Sequence, residues 1–191
     1  MVRQIVLSGF IGGVLAFFWG FFAWGPGELW SSGFKGVPNE APLLSAFEPS
    51  GITESTAYYF PAMPADMGNE ADMEAWKARH RSKAIGILLV QPGGAEAMSP
   101  IVFIRGFLVE VCAAMMLAVI IGAGGGTAVV KRAGMLIVAV AFAVLATHGV
   151  MWNFMSWPAA WGRVMVIDTA ITWILAGLPA VLLMRGSPKT A

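Results

Sequence analysis

The chain has little charge and almost no cysteine or histidine. Only 12% of its 191 residues are Asp, Glu, Lys or Arg, about half the share found in an ordinary soluble domain. A single cysteine, Cys112, excludes an intrachain disulfide and any multi-cysteine metal or redox centre; inside an apolar run it reads as a small packing residue. With only two histidines, His80 and His148, the apolar runs offer no histidine pair to grip a haem. A net charge of +1 without a basic stripe excludes nucleic acid as a partner. The glycine-rich stretch at residues 122–127 lacks the Gly-Lys-Ser/Thr ending of a phosphate-binding loop, so no nucleotide is expected. No Gly-x-Ser-x-Gly elbow occurs either, and no catalytic residue is assigned.

What the chain does contain is apolar: 58% of it is hydrophobic. Runs at residues 5–24, 101–122, 134–152 and 161–184 are each near the length a tilted transmembrane helix needs. The first run is too long for a signal-peptide core and is followed by no Ala-x-Ala site, so it reads as a span. The expected fold is an all-α membrane protein, a four-transmembrane-helix bundle with a small α+β extracytoplasmic insertion between helices 1 and 2. The divisions are 1–24, 101–122, 134–152 and 161–184 for the helices and 25–100 for the insertion. The remainder is a cytoplasmic loop at 123–133, an outer turn at 153–160 and a cytoplasmic tail at 185–191. Arg3, Lys131, Arg132, Arg185 and Lys189 occupy the short segments, which hold no acid. By the positive-inside rule both termini are cytoplasmic. Trp24, Trp30, Trp152, Trp157 and Trp161 then mark the outer headgroup level.

Within the insertion, residues 41–47 read as a short helix and 53–60 and 83–91 as strands. Residues 69–80 read as a helix capped by Asn69 and closed by Arg79 and His80, with His80 solvated. In the first span Gly12, Ala16 and Gly20, four residues apart, form a face narrow enough for a neighbouring helix to approach closely. Ser156 reads as the N-cap of the fourth span, with Pro158 in its first turn and Pro179 bending its far end.

The strongest chemical signal is an ionisable set within the spans: Arg105 and Glu110 in the second, His148 in the third, Arg163 and Asp168 in the fourth. An ionisable group in the hydrocarbon costs roughly 2.5–3.5 kcal/mol on insertion scales, so each needs a partner or a use. Five residues turn a helix by about 140°, so neither arginine faces the acid that follows it, and each acid looks across to another helix. A buried network that fixes register and a protonatable or ligand-binding pocket are both open. Met63, Met67, Met73 and His80 carry donors suited to Cu(I), but their spacing is irregular and methionine is a common gap-filler. No metal and no cofactor is assigned.

The order of span, loop and three further spans resembles uncharacterised bacterial four-span inner-membrane proteins with one large periplasmic loop. A Tyr-x-x-Pro-x-x-Pro stretch from Tyr58 through Pro61 to Pro64 carries the resemblance in detail. It implies a bacterial inner-membrane setting and no activity. The expected function is a non-catalytic accessory or assembly subunit, whose partners are the bilayer and other integral membrane proteins or copies of itself. The rivals are a small proton-coupled transporter using Glu110, Asp168 and His148, and a lipid-binding protein or membrane-embedded enzyme receiving an anionic headgroup on Arg105 and Arg163.

Overall fold

A computed structural model of the chain describes residues 1–124 and 128–184. In chain order the elements are α1 (Val2–Trp24), a single 3-10 turn (Trp30–Ser32), α2 (Ala41–Ser45), β1 (Thr56–Phe60), α3 (Glu70–Ser82) and β2 (Gly86–Val90). They continue with α4 (Pro100–Gly124), α5 (Val129–Val144), a π turn (Leu145–Gly149), α6 (Val150–Phe154) and α7 (Ala159–Leu183). Four helices are long and apolar enough to cross a membrane: α1, α4, the continuous run Val129–Phe154, and α7. Together with one two-stranded sheet they give the helical membrane bundle expected from the sequence. The chain divides into a first unit (Met1–Lys35, Met98–Val150 and the segment from Pro158) and a second (Gly36–Ala97 and Met151–Trp157).

In the first unit α4 and α7 form the central pair, with α1 packed on both and α5 packed on both. Small residues set the spacing. A Cβ on Gly9 or Gly13 would strike the backbone of Met115 or Val111, and one on Gly12 would strike the Ala176 carbonyl. Such close approach is how apolar helices gain packing energy where lipid offers no hydrophobic drive. Phe17 and Phe21 continue the seam against Phe107 and Phe103, so α1 and α4 run antiparallel. Leu117 meets Gly177 and Gly122 meets Met184, so α4 and α7 run parallel. The buried core gathers Ala16, Ala114, Leu117, Ala118, Ile121, Leu136, Val140 and Ala176.

Several sequence expectations are corrected here. The packing face of α1 includes Gly12 and Ala16, but Gly20 has nothing within 4 Å of where its Cβ would stand; the tight seam lies nearer the N-terminus, on Ser8, Gly9, Gly12, Gly13 and Ala16. Cys112 is exposed on α4, on the side turned away from the α1 seam. The third long helix begins at Val129 rather than 134, so Lys131 and Arg132 are helical, not loop residues. Arg132 is 4% exposed, and its Nε donates to the Val181 carbonyl at 2.9 Å. That carbonyl belongs to the last turn of α7, where helices leave acceptors unbonded and favour a cation. Ser156 is not an N-cap: it adopts φ 51, and Pro158 takes the cap position, its carbonyl accepting from Gly162 N–H at 2.9 Å. Pro179 is buried inside α7, which continues to Leu183. Trp24 stacks on Trp30 at 3.7 Å, and Trp30 meets Trp161 at 5.1 Å, so these rings pack on one another. The glycine-rich turn at 122–127 falls partly, and the tail with Arg185 and Lys189 wholly, outside the described residues.

The second unit is built differently. β1 and β2 pair antiparallel, Thr56 opposite Val90 and Phe60 opposite Gly86. Asn69 caps α3, its side chain accepting from Ala71 and Asp72 N–H at 3.0 and 3.3 Å. Glu70 and Asp72 occupy the first turn and Arg79, His80 and Arg81 the last, as the helix dipole prefers. The expectation that His80 is solvated is corrected: its Nε2 lies 2.8 Å from Tyr59 Oη, with Trp76 beside it at 4.9 Å. Trp76 Nε1 donates to the Pro61 carbonyl at 3.1 Å. No residue of this unit is fully buried.

Candidate functional site

The antiparallel register of α1 against α7, fixed by Gly12 at Ala176, brings Trp19 level with Asp168. Trp19 Nε1 donates to Asp168 Oδ1 at 2.8 Å. The parallel register of α4 and α7 places Glu110 at the same level, and Asp168 lies within electrostatic reach of both Glu110 and His148. Glu110 follows the start of α4 at Pro100 by about 15 Å along the axis at ~1.5 Å per residue, which is near the middle of a bilayer core.

The π turn positions His148. Along α5 the residues facing α7 recur every four positions, at Arg132, Leu136 and Val140. Four residues advance an α-helix by about 400°, so such a stripe drifts about 40° per step. The wider turn at Leu145–Gly149 offsets the drift and returns His148 to α7, where Nε2 stands 2.7 Å from Thr169 Oγ1. Thr147 Oγ1 donates to the Ala143 carbonyl at 2.6 Å, bonding an acceptor where the regular ladder is interrupted.

The structure therefore brings Glu110, His148 and Asp168 to one level and leaves Arg105 and Arg163 out. Both arginines are exposed, and among the described residues the ion pairs are those of Glu74 with Lys77 and Arg81. The arginines fall outside for the reason the five-residue spacing gives: each points about 140° away from its acid. Glu110 Oε2 is enclosed and has no hydrogen-bond partner among the described residues. Two carboxyls and an imidazole at mid-depth can take up and pass on protons. Among the described residues no group of three or more His, Cys, Asp or Glu side chains is arranged to hold a metal ion.

Of the soft-donor set, Met63 and Met67 are exposed, Met73 is half-buried on α3, and His80 is engaged with Tyr59. Residues that sequence reasoning missed are Trp19, Thr169 and Arg132. Trp19 was findable, since an indole within a span needs an acceptor for its N–H. Arg132 was hidden by the assumption that cations flank spans.

Comparison of the chain with protein-family models, with curated proteins and with solved structures finds no match.

Proposed function

We propose that the chain is a non-catalytic accessory or assembly subunit of a larger bacterial membrane complex. It lies in the inner membrane with both termini cytoplasmic and the second unit periplasmic, and it docks through that second unit. One observation carries this reading: no residue of Gly36–Ala97 or Met151–Trp157 is fully buried. Ordering each residue costs about 1–2 kcal/mol of backbone entropy, and a two-stranded sheet without a core is marginal in water. Among the described residues no third strand pairs with either edge of the β1–β2 sheet, and Leu89 on β2 is 83% exposed. Such an edge is a template for a strand or surface supplied by another chain. The resemblance to four-span inner-membrane proteins and the cation-bearing short segments support the setting and orientation.

The test is extraction of the full chain from its own membrane in mild detergent, followed by native mass spectrometry. Recovery of the same larger membrane proteins in fixed ratio is expected, with loss of that ratio in Leu89→Asp while bundle unfolding is unchanged. Recovery of the chain alone, or only with copies of itself, sinks the proposal.

A second reading, a small proton-coupled carrier, is favoured by the enclosed Glu110 Oε2, which has no hydrogen-bond partner among the described residues, at the level of Asp168 and His148. In proteoliposomes, proton flux that Glu110→Gln abolishes supports it. Equal flux in both, or none in the unaltered chain, removes it.

A further inference from the structure

An apolar groove of about 290 Å³ opens between α4 and α5, walled by Ala113, Met116 and Ile120 on one side, by Ala139 and Ala143 on the other, and floored by Trp173 of α7. It exists because α5 presents alanines at 139 and 143 where larger side chains would close the gap. Its size is at the small end of ligand pockets, about 300–1,000 Å³, and suits a slender hydrocarbon chain better than a bulky ligand.

The stripe of α4 that leads to this groove begins with a cation. Arg105, Val109, Ala113, Met116 and Ile120 recur at four- and three-residue steps, which puts them on one helix face. Arg105 is exposed and forms no ion pair among the described residues. It stands about 7.5 Å inside the start of α4, and the groove begins about 12 Å deeper at ~1.5 Å per residue. A long guanidinium side chain at that depth extends toward the headgroup level, where its planar fork suits phosphate oxygens. Between head and groove the stripe is apolar, with Val109 65% exposed, and Met116 on the groove wall is 69% exposed.

We propose that Arg105 and the α4–α5 groove together hold one anionic phospholipid, its phosphate on Arg105 and an acyl chain along Val109 and Met116 into the groove. The charge of Arg105 and the apolar length below it match the two ends of one such molecule. Arg163 supplies an internal control. It too is exposed, and it lies at an equivalent depth on α7, but its own face continues into Val166, Ile167 and Ile174, none of which lines the groove.

Native mass spectrometry of the full chain, purified with equal amounts of phosphatidylglycerol and phosphatidylcholine of the same acyl chains, tests this. The unaltered chain should retain one phosphatidylglycerol in about fivefold preference, the effect of one cation near an anionic headgroup. Arg105→Gln should abolish the preference, Ala143→Phe should lower retention of both lipids, and Arg163→Gln should change neither. If Ala143→Phe does not fold, Ala139→Leu fills the same groove from the neighbouring turn. Equal retention of the two lipids, an Arg163→Gln effect as large as that of Arg105→Gln, or unchanged retention when the groove is filled would each overturn the site. Displacement by inorganic phosphate alone would do the same, since a free anion needs no groove.

Discussion

Along α1, α4 and α7 the decisive contacts are made by residues with almost no side chain, while in the second unit they are made by long side chains reaching for single atoms. Gly9, Gly12 and Gly13 let backbones meet, and the longest-range polar bonds added to that frame join distant parts of the sequence: Trp19 to Asp168 and Arg132 to Val181. In the second unit the bonds are nearer in sequence, Tyr59 to His80 and Trp76 to Pro61, and no side chain is fully enclosed. The first unit is therefore specified by shape. The second has its local elements capped and paired but lacks the burial that normally outweighs chain entropy.

This contrast can be broken in order of size. Gly12→Leu should destabilise the bundle by about 3 kcal/mol, because the new side chain meets the Ala176 backbone and neither helix can yield without shifting. Gly20→Leu, in open space, should stay within about 0.5 kcal/mol; unfolding in detergent compares the two. Equal losses would show that close helix contact is not what holds α1. Arg132→Met should cost about 1–3 kcal/mol by the same measurement, since it strips the donor from a buried carbonyl near the end of α7.

In the second unit Asn69→Ala should cost about 1 kcal/mol, the usual worth of an N-cap. It should be seen as faster amide exchange over Glu70–Ser82 without any change in bundle unfolding. A double-mutant cycle of Trp19→Phe with Asp168→Asn should give a coupling of about 0.6 kcal/mol, the average for hydrogen bonds between membrane helices.

The smallest effect concerns Glu74. Its hydrogen bond from Lys77, with the charge of that ammonium, holds the carboxyl below the usual carboxylate range. A lowered carboxylate stabilises above its unfolded value and loses that contribution as pH falls through the folded one. Protection of the α3 amides relative to their intrinsic exchange rate should therefore fall only as Glu74 is protonated in acid. Because the pair is exposed, Glu74→Gln at neutral pH should leave bundle unfolding unchanged.

The parts legible in the sequence were those with a strong local pattern. Four apolar runs became the four long helices. Asn69 followed by acids and closed by Arg79, His80 and Arg81 became α3, and the strands kept their places with ends trimmed by three residues or fewer. The five-residue spacing turned each arginine about 140° from the acid on its own helix, but it left a network of all four across helices open, and the sequence grouped Arg105 and Arg163 with Glu110, His148 and Asp168. What the sequence hid depends on register between helices. Nothing local shows that Trp19 stands level with Asp168, that a π turn swings His148 back toward Thr169, or that Arg132 is helical and caps α7. Gly20 was misjudged for a related reason: four-residue spacing marks a face but not how far along it the neighbour stays close.

Amide exchange across Thr56–Phe60 and Gly86–Val90, measured on the chain in its own membrane and again after purification to a single species, addresses the docking role of the second unit most directly. If a partner completes that unit, at least one of the two strands is protected in the membrane and loses that protection on purification. Equal exchange in both preparations would mean that the sheet edges stay open in the cell, and that the chain works without the partner proposed here.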